Sequence, residues 1–296
     1  MKVLVTGRAG QLVRSLLESA EHHPGIEVVT AGRPEVDLEQ PGSISRAIWA
    51  ARPEIVINAA AYTAVDQAEQ EPDRAFRINA DAAGEAAAAC REVGARVIQI
   101  STDYVFAGTG DRAWRPGDPT GPLGTYGASK LAGEKQVRAA NPDHLILRTA
   151  WVFSPFGKNF VATMLRLATE RGQVRVVADQ RGCPTNALDL ADGLLCVAKA
   201  WRNGNGAGVG QTMHLAGPEP CSWAEFAHAI FEASAQVRGP VAEVEAITTA
   251  EFPTPARRPS NSVLDSSAFE ATFGWRMPSW RQGLQRTVRR LLSNPT

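Results

Sequence analysis

The sequence has few of the features that mark secreted, membrane-spanning or nucleic-acid-binding proteins. Its four cysteines (Cys90, Cys183, Cys196 and Cys221) are far apart, with no CxxC pair and no Cys/His spacing typical of zinc ligands. No apolar run approaches the roughly 20 residues of a membrane-spanning helix, and no signal peptide is recognisable before Gly7. Lysine and arginine number 31, as do aspartate and glutamate, so no net charge attracts nucleic acid or an anionic membrane. We therefore expect a cytoplasmic protein without disulfides, bound metal, membrane contact or a nucleic-acid partner.

The residues that are present form an ordinary globular composition. Of the 296 residues, 44% are apolar and 21% are charged, which argues against extensive disorder. At about 100–200 residues per domain, the chain is long enough for one large domain or two smaller ones. Short apolar runs typical of buried strands alternate with helical patterns through the first half. The predicted strands span residues 3–5, 26–30, 55–57, 97–100 and 145–147.

Strands that alternate with helices at this spacing predict α/β architecture with a doubly wound parallel sheet of the Rossmann type. Residues 1–150 are expected to form this Rossmann domain. Residues 151–296 are expected to form mainly a smaller C-terminal α/β lobe, with some segments returning to the first domain. Helices are predicted over residues 81–93, 126–139, 159–171 and 223–235, and a Pro- and Gly-rich loop over residues 111–124.

A turn with two glycines, Gly7 and Gly10, separates the first predicted strand from the first helix. Backbone N–H groups at a helix N-terminus attract anions, and glycine lets a pyrophosphate approach them closely. We therefore interpret the turn as a dinucleotide-binding site rather than a plain turn. Val13 occupies the position of the third glycine of the GxxGxxG pattern, and a branched side chain there is expected to push the helix away from the strand.

The end of the second predicted strand carries no acid of the kind that binds the ribose hydroxyls of NAD. Arg33 is found there instead and is suited to the 2′-phosphate of NADP, although a solvated surface arginine is the simpler alternative. Asp37 follows a few residues later and is expected to face the adenine. The expected cofactor is NADPH, with NADH also accepted.

Two later segments carry residues suited to acid–base chemistry on a carbonyl group. Segment 101–103 ends the fourth predicted strand, and Tyr126 and Lys130 are four residues apart on one face of the next helix. A phenol with a pKa of about 10 is a weak catalyst at neutral pH, and we expect the Lys130 ammonium to lower that pKa. Tyr126 is then suited to donate a proton to the carbonyl oxygen as hydride reaches the carbon, with Thr102 hydrogen-bonded to the same oxygen. Because Tyr/Lys pairs are common on exposed helices, this interpretation depends on the other motifs.

Together these motifs resemble the extended short-chain dehydrogenase/reductase superfamily and, within it, the dTDP-4-dehydrorhamnose reductase family. The resemblance covers almost the whole chain. Beside the glycine turn and the YxxxK pair, it is carried by NAAAYTAVD at 58–66, RTAWVF at 148–153, NF at 159–160, DQRGCPT at 179–185 and RRPSNS at 257–262. It implies an NAD(P)H-dependent enzyme that reduces the C4 ketone of dTDP-4-dehydro-L-rhamnose to give dTDP-L-rhamnose, with Tyr126 as general acid.

The resemblance also implies which residues contact the ligands. The catalytic residues would be Thr102, Tyr126 and Lys130. The cofactor would be bound by Tyr126 and Lys130 together with Gly7, Gly10, Gln11, Leu12, Arg33, Asp37, Leu38, Ala60, Ala61, Tyr62 and Thr63. The nucleotide-sugar substrate would be bound by Thr102, Asp103, Trp151, Asn159 and Arg257. For Trp151 and Arg257 the alternatives are a core aromatic residue and a solvated arginine.

Two other functions are compatible with the same motifs. One is another nucleotide-sugar reductase or epimerase of the superfamily. The other is a non-catalytic NADP-binding subunit on the same fold, like the regulatory subunit of methionine adenosyltransferase, which resembles this family. The intact Tyr126 and Lys130 favour an enzyme, whereas Val13 is the feature that favours the subunit.

Assembly is the last expectation. Some members of the family are described as dimers joined by Mg²⁺ between carboxylates, including glutamates of the C-terminal helix. The helix predicted here over residues 282–292 contains no acid and carries Arg289 and Arg290, which repel a cation that needs carboxylate ligands. We therefore expect no metal site and a monomer or weak homodimer.

Overall fold

The computed structural model describes residues 1–293, in which strands and helices alternate along the chain. The strands are β1 (Lys2–Thr6), β2 (Glu27–Ala31), β3 (Ile55–Asn58), β4 (Arg96–Thr102), β5 (His144–Thr149), β6 (Val152–Phe153), β7 (Gln173–Val177), β8 (Arg181–Gly182), β9 (Thr185–Asn186), β10 (Gln211–His214), β11 (Cys221–Ser222) and β12 (Glu243–Ile247). The helices are α1 (Gln11–Ala20), α2 (Ser43–Ala51), α3 (Val65–Ala68), α4 (Pro72–Phe76), α5 (Ala82–Val93), α6 (Thr125–Ala140), α7 (Phe160–Glu170), α8 (Ala187–Arg202), α9 (Trp223–Ala235), α10 (Ser267–Phe273) and α11 (Trp280–Ser293).

Six strands form the central sheet in the order β10-β5-β4-β3-β1-β2, and every neighbouring pair is parallel. Alternate side chains of each strand enter different cores. In β1, Val3 and Val5 pack with α1 and α8, whereas Leu4 packs with α2 and α5 on the opposite face. A parallel sheet with helices on both faces needs apolar residues on both sides of each strand. The predicted α/β, doubly wound parallel sheet is confirmed.

Chain segments beyond residue 151 contribute to both parts of the molecule. β10 pairs with β5 at the edge of the central sheet, and α8 packs on the core beneath it. The remaining segments bury a second core between α7, α9, α11 and β7, which includes Phe226 and Trp280. β7 pairs with β12 in a separate parallel ladder. The division at residue 151 stays a prediction.

The predicted elements differ from the observed ones mainly at their ends. The predicted helix 81–93 is preceded by a π-helical turn at Arg77–Asp81 that continues into α5. β10 and α8 have no counterpart among the strands and helices named from the sequence. The loop predicted over residues 111–124 is observed between β4 and α6, and Trp114 forms an isolated bridge there with Leu264.

Candidate active site

A cavity of about 470 Å³ lies where β1, β2 and β3 reach their carboxyl ends. Ligands of open parallel sheets bind at this edge. Eight of the predicted cofactor residues line the cavity: Gly7, Arg33, Asp37, Leu38, Ala60, Ala61, Tyr62 and Thr63. The predicted residues Gly10, Gln11 and Leu12 lie just outside it, at the N-terminus of α1.

The backbone of the glycine turn forms a cradle that side chains would fill. Gly7 has a φ of +102°, and its N–H donates to the Ala31 carbonyl at 2.6 Å. A Cβ at Gly32 would lie 2.9 Å from the Gly7 carbonyl carbon. The turn and the end of β2 are therefore packed so closely that side chains at Gly7 and Gly32 would be strained or would clash. This arrangement fits a dinucleotide phosphate, which needs close access to backbone N–H groups.

Val13, which replaces the third glycine, is buried against β1. Its side chain is 3% exposed and belongs to the core that contains Val3, Val5 and Leu16. Its Cγ2 lies 3.2 Å from the position that a Gly7 Cβ would occupy. The valine therefore uses space that the missing side chain of Gly7 leaves open.

Charged side chains line the part of the cavity that follows β2. Arg33 is exposed at the rim and forms no salt bridge with any residue in 1–293, whereas Arg8 pairs with Glu35 at 2.6 Å. One oxygen of Asp37 accepts the Glu39 N–H at 3.1 Å. Arg33 is thus available to an anionic ligand, because its charge is not neutralised by a neighbouring carboxylate.

The three predicted catalytic residues lie on two adjacent elements. Thr102 ends β4, and its hydroxyl donates to Asp103 Oδ1 at 2.8 Å while accepting the Tyr104 N–H at 3.2 Å. Tyr126 and Lys130 lie on the first two turns of α6. The Lys130 ammonium is 4% exposed and donates to the Ile100 carbonyl at 2.7 Å. The structure therefore gathers the set around the carboxyl end of β4.

Tyr126 lies between the cavity and a second depression. Its ring packs against the cluster that contains Tyr62, which lines the cavity. On the other side it meets Tyr104 edge to face, with ring centroids 5.5 Å apart. Tyr126 therefore contacts a cluster that borders the cavity and a residue that lines the cleft, although it lines neither itself.

The electrostatics of the phenol differ from the expectation. Burial raises the pKa of Tyr126 to about 12, against a smaller opposing effect of the Thr102 hydroxyl. Burial also lowers the pKa of Lys130 to about 8, although Glu134 acts in the opposite direction. The expected lowering of the Tyr126 pKa was wrong, because desolvation, reinforced by the Asp103 carboxyl, raises it and the Thr102 hydroxyl is the group that opposes this shift. A neutral phenol at pH 7 is the protonation state of a proton donor.

One close backbone contact and a buried ion pair hold α6 in position. A Cβ at Gly133 would lie 2.1 Å from the Asn79 carbonyl oxygen, in the π-helical turn. Further along the helix, Glu134 accepts two hydrogen bonds of 2.8 Å from Arg148 on β5. Although burial alone would raise the pKa of Glu134, these Arg148 bonds keep it below its ordinary value. The catalytic helix is thereby fixed against β5 and the π-helical turn.

The second depression is a cleft of about 730 Å³. None of the five predicted substrate residues lines it. Its walls are formed by Tyr104, Phe160, Thr163, Met164, Leu167, Arg171, Gln173, Val174, Arg175, Val176, Val177, Gln180, Trp223, Glu245, Phe252, Thr254 and Arg258. The walls combine apolar and aromatic surface with a few charged groups, which suits a ligand with a flat base and a charged linker.

Two predicted substrate residues are replaced at the cleft by their sequence neighbours. Asn159 caps α7, because its side chain accepts the Ala162 N–H and donates to the Ser154 carbonyl at 2.8 Å. Phe160, the next residue, lines the cleft. Arg257 is exposed and lies outside the lining, whereas Arg258 is part of it. The direct contact predicted for Asn159 and Arg257 stays a prediction, and the residues found in the cleft wall are their neighbours Phe160 and Arg258.

Trp151 stands behind the cleft wall. It has a φ of +47°, which L residues rarely adopt, and its indole stacks on Trp223 with centroids 3.5 Å apart. A Cβ at Gly182 would lie 2.3 Å from the Trp151 indole, so glycine is required there. Trp223, which lines the cleft, is thus backed by Trp151. Strained residues held by their surroundings are often found at functional sites.

Asp103 is a further buried group beside Thr102. It is 3% exposed, and its Oδ2 has no hydrogen-bond partner within residues 1–293. Burial raises the pKa of Asp103 to about 6, while the Thr102 and Ser262 hydroxyls act against this shift. Asp103 lies one residue from Tyr104, so it is adjacent to the cleft although it does not line it.

Sequence reasoning missed Tyr104, Trp223 and Asp66. Tyr104 directly follows the predicted Thr102 and Asp103 and could have been found from the same segment. Trp223 follows Ser222, whose capping box with Glu225 starts α9, but nothing in the sequence relates it to Trp151. The Asp66 carboxylate contacts Arg258 across 192 residues of chain, a distance that local patterns do not bridge.

Residues 1–293 lack two further features. Within residues 1–293, no group of three or more His, Cys, Asp or Glu side chains is arranged to hold a metal ion. No helix in this part of the chain is both long enough and apolar enough to cross a membrane.

Comparisons with known proteins agree with this geometry. The family model described as RmlD substrate binding domain matches residues 1–293. The chain is 44% identical to a dTDP-4-dehydrorhamnose reductase of Sinorhizobium fredii, over 99% of this chain and 98% of the relative. A crystal structure of a dTDP-4-dehydrorhamnose reductase from Clostridium acetobutylicum is 37% identical with a TM-score of 0.90, over 99% of this chain and 100% of that one. One from Bacillus anthracis, in complex with NADP, is 36% identical with a TM-score of 0.88, over 97% and 98% of the two chains.

Proposed function

This chain belongs to the dTDP-4-dehydrorhamnose reductase family, and we propose that it reduces the C4 ketone of dTDP-4-dehydro-L-rhamnose to give dTDP-L-rhamnose. It is an oxidoreductase that uses NADPH, with NADH also accepted. The relative from Bacillus anthracis that binds NADP supports this cofactor. When bound, NADPH supplies the hydride.

The residues proposed to hold the cofactor surround the 470 Å³ cavity. The N-terminus of α1, which begins after Gly10, is proposed to bind the pyrophosphate through the backbone N–H groups of its first turn and to favour its negative charge, while the absence of a side chain at Gly7 lets the phosphates approach. Arg33 is proposed to bind the 2′-phosphate, since it is the rim arginine without a salt bridge in residues 1–293. Asp37 and Leu38 face the adenosine end. Gln11 is a weaker candidate, because its amide oxygen already accepts the Ser154 hydroxyl at 2.8 Å.

In the proposed chemistry, Tyr126 donates its phenolic proton to the C4 oxygen as that oxygen becomes an alkoxide. Its raised pKa keeps the proton in place at neutral pH until it is needed. Thr102 holds the same oxygen by a hydrogen bond, for which its hydroxyl turns from Asp103. Lys130, anchored to the Ile100 carbonyl, supplies positive charge near the phenolate that remains.

The substrate is proposed to occupy the 730 Å³ cleft. Tyr104 adjoins Tyr126 and therefore marks the end at which the sugar reacts. Trp223, backed by Trp151, offers a flat apolar face to the ligand. Arg258, rather than Arg257, is proposed to bind the diphosphate, because a guanidinium pairs well with phosphate oxygens.

The observation that carries this proposal is that Tyr126 packs both against the cluster containing Tyr62, which lines the cofactor cavity, and against Tyr104, which lines the substrate cleft. The test is to mix the protein with dTDP-4-dehydro-L-rhamnose and NADPH or NADH and to follow the loss of reduced-nicotinamide absorbance. The product is identified as dTDP-L-rhamnose by chromatography. Cofactor binding without turnover would favour a regulatory subunit, and turnover of other keto sugars alone would favour another reductase.

We further propose that the enzyme works in the cytoplasm as a monomer or weak homodimer. All four cysteines are free thiols, which suits a reducing compartment. No partner beyond the nucleotide-sugar substrate and the cofactor is proposed.

A further inference from the structure

An ion pair joins the loop after β3 to the wall of the substrate cleft. Arg258 donates to both carboxylate oxygens of Asp66, at 2.9 and 2.7 Å. Asp66 lies in α3, three residues after Thr63 of the cofactor cavity, whereas Arg258 lines the cleft. The pair therefore lies between the two proposed ligand sites.

The Asp66 carboxylate is held in a defined orientation. The Ala256 N–H donates to Oδ1 at 3.1 Å, in addition to the Arg258 bonds. These Arg258 bonds keep the pKa of Asp66 below its ordinary value, so the carboxylate is charged at neutral pH. Its side chain is still 41% exposed, and that of Arg258 is 21% exposed. Solvent, and hence a soluble anion, can therefore reach the pair.

Of the three arginines that line the cleft, Arg258 is the most buried. Arg171 and Arg175 also line the cleft but are exposed, and Arg175 already contacts Glu245 and Glu251 at 3.5 Å. A carboxylate and a phosphate present similar pairs of oxygens to a guanidinium. One Arg258 fork cannot pair fully with both at once.

We propose that Asp66 is a positioning residue that acts through Arg258: its carboxylate holds the guanidinium in the cleft and is displaced by the diphosphate of the sugar nucleotide. This inference rests on the proposed function, because it takes the ligand to be a nucleoside diphosphate. Asp66 thus orients the cation before binding and competes with the substrate for it. Substrate affinity is set below its maximum by that competition.

The test is calorimetric titration of the full-length protein with thymidine, dTMP and dTDP. Asp66→Asn removes the charge but keeps an oxygen for the Ala256 N–H. We expect it to tighten dTDP binding about two- to fivefold, the range of a partly exposed ion pair. Thymidine, which has no phosphate, should bind both proteins equally. Arg258→Met should weaken dTDP about tenfold or more, since charge-assisted bonds are lost.

Two variants serve as controls. Asp118→Asn removes the carboxylate from a similar bidentate pair with Arg112, at 2.7 and 3.0 Å, that lines neither site. It should leave dTDP affinity unchanged. Asp66→Glu retains the charge and should not reproduce the gain seen with Asp66→Asn.

Three results would overturn the inference: unchanged dTDP binding in Asp66→Asn, an equal loss of dTDP and thymidine binding, or the same gain in Asp66→Glu. An equal loss would assign Asp66 a purely structural role. Since these titrations need no turnover, they are independent of the reductase assay. If the protein reduces the keto sugar but fails this test, the proposed function stands and the role of Asp66 is rejected. If it passes this test but does not reduce the keto sugar, the role of Asp66 stands and the proposed function is rejected.

Discussion

Tyr126 shows how burial prepares a single residue for proton donation. Its pKa of about 12 leaves the phenol neutral at physiological pH, and its ring packs against Tyr104 and against the cluster that contains Tyr62. Tyr126→Phe keeps that packing but has no proton to donate. We expect kcat to fall about 10²- to 10⁴-fold, the usual contribution of general acid catalysis, with little change in the Kd of NADPH. Steady-state kinetics and cofactor titration measure the two effects, and near-normal kcat would assign the proton to another group.

Arg33 decides the preference between the two cofactors if it binds the 2′-phosphate. Only NADPH carries this group, so Arg33→Ala should weaken NADPH about tenfold or more and leave NADH nearly unchanged. Fluorescence titration of each reduced cofactor measures the Kd directly. Arg8→Ala is the matched control, because Arg8 lines the same cavity but is paired with Glu35. Equal losses for NADPH and NADH would show that Arg33 does not distinguish them.

At the level of residues, sequence reasoning finds groups whose spacing is local. Tyr126 and Lys130 are recognisable because a helical turn fixes their separation, and Gly7 because the turn needs its positive φ. Arg257 and Arg258 could not be told apart, since they lie in a loop without periodicity. Arg258 lines the cleft and pairs with Asp66, which is distant in the sequence, so local patterns do not distinguish it from Arg257.

At the level of elements, strands with a local apolar pattern are predicted from the sequence, whereas a strand that depends on pairing with a distant strand is not. Each of the five strands predicted in the first half contains three apolar residues, which pack on the two faces of the sheet. β10 reads QTMH and has no such pattern; it is formed by pairing with the exposed edge of β5. Its place in the sheet depends on tertiary pairing, which outweighs local preference in strands.

The first helix gives a prediction that the structure alters. If Val13 only pushed α1 away from β1, glycine at position 13 would tighten cofactor binding and cost the helix preference of about 1 kcal/mol. Because Val13 is 3% exposed in the core, Val13→Gly also removes a buried side chain, worth about 1.5–3 kcal/mol. We expect a total loss of about 3 kcal/mol by urea denaturation and no gain in NADPH affinity. A stable variant with tighter binding would restore the original packing argument.

For the whole molecule, the arginines of α11 bear on assembly. Arg286 pairs with Asp189 of α8 at 2.6 Å, and Arg290 pairs with Glu18 of α1 at 3.0 Å. Carboxylates that are already neutralised by arginine are poor ligands for Mg²⁺. We therefore expect EDTA to change neither the mass measured by light scattering nor the rate of turnover. A fall in either that Mg²⁺ reverses would mean that carboxylates elsewhere in the chain bind a metal.

The stability of the whole molecule should depend on pH through His214, the last residue of β10. It is fully buried, and its Nδ1 lies 3.1 Å from the Trp114 carbonyl oxygen. This contact joins β10 to the loop of residues 111–124. Its Nε2 has no hydrogen-bond partner in residues 1–293. Burial, reinforced by Arg148, lowers the pKa of His214 to about 4. The native state therefore keeps this imidazole neutral over a range in which the unfolded chain, with a pKa of about 6.5, becomes protonated.

Because the unfolded state binds the proton first, acidification from pH 7 to pH 5 favours unfolding. The His214 contribution to this loss should be about 2 kcal/mol. Urea denaturation at the two pH values measures it as the difference between the native protein and His214→Gln, which does not titrate. His214→Gln should be less stable at pH 7 but lose correspondingly less stability on acidification. His228→Gln, at an exposed position of α9, should keep the native pH dependence. If His214→Gln loses as much stability between pH 7 and pH 5 as the native protein does, the acid sensitivity arises from other groups.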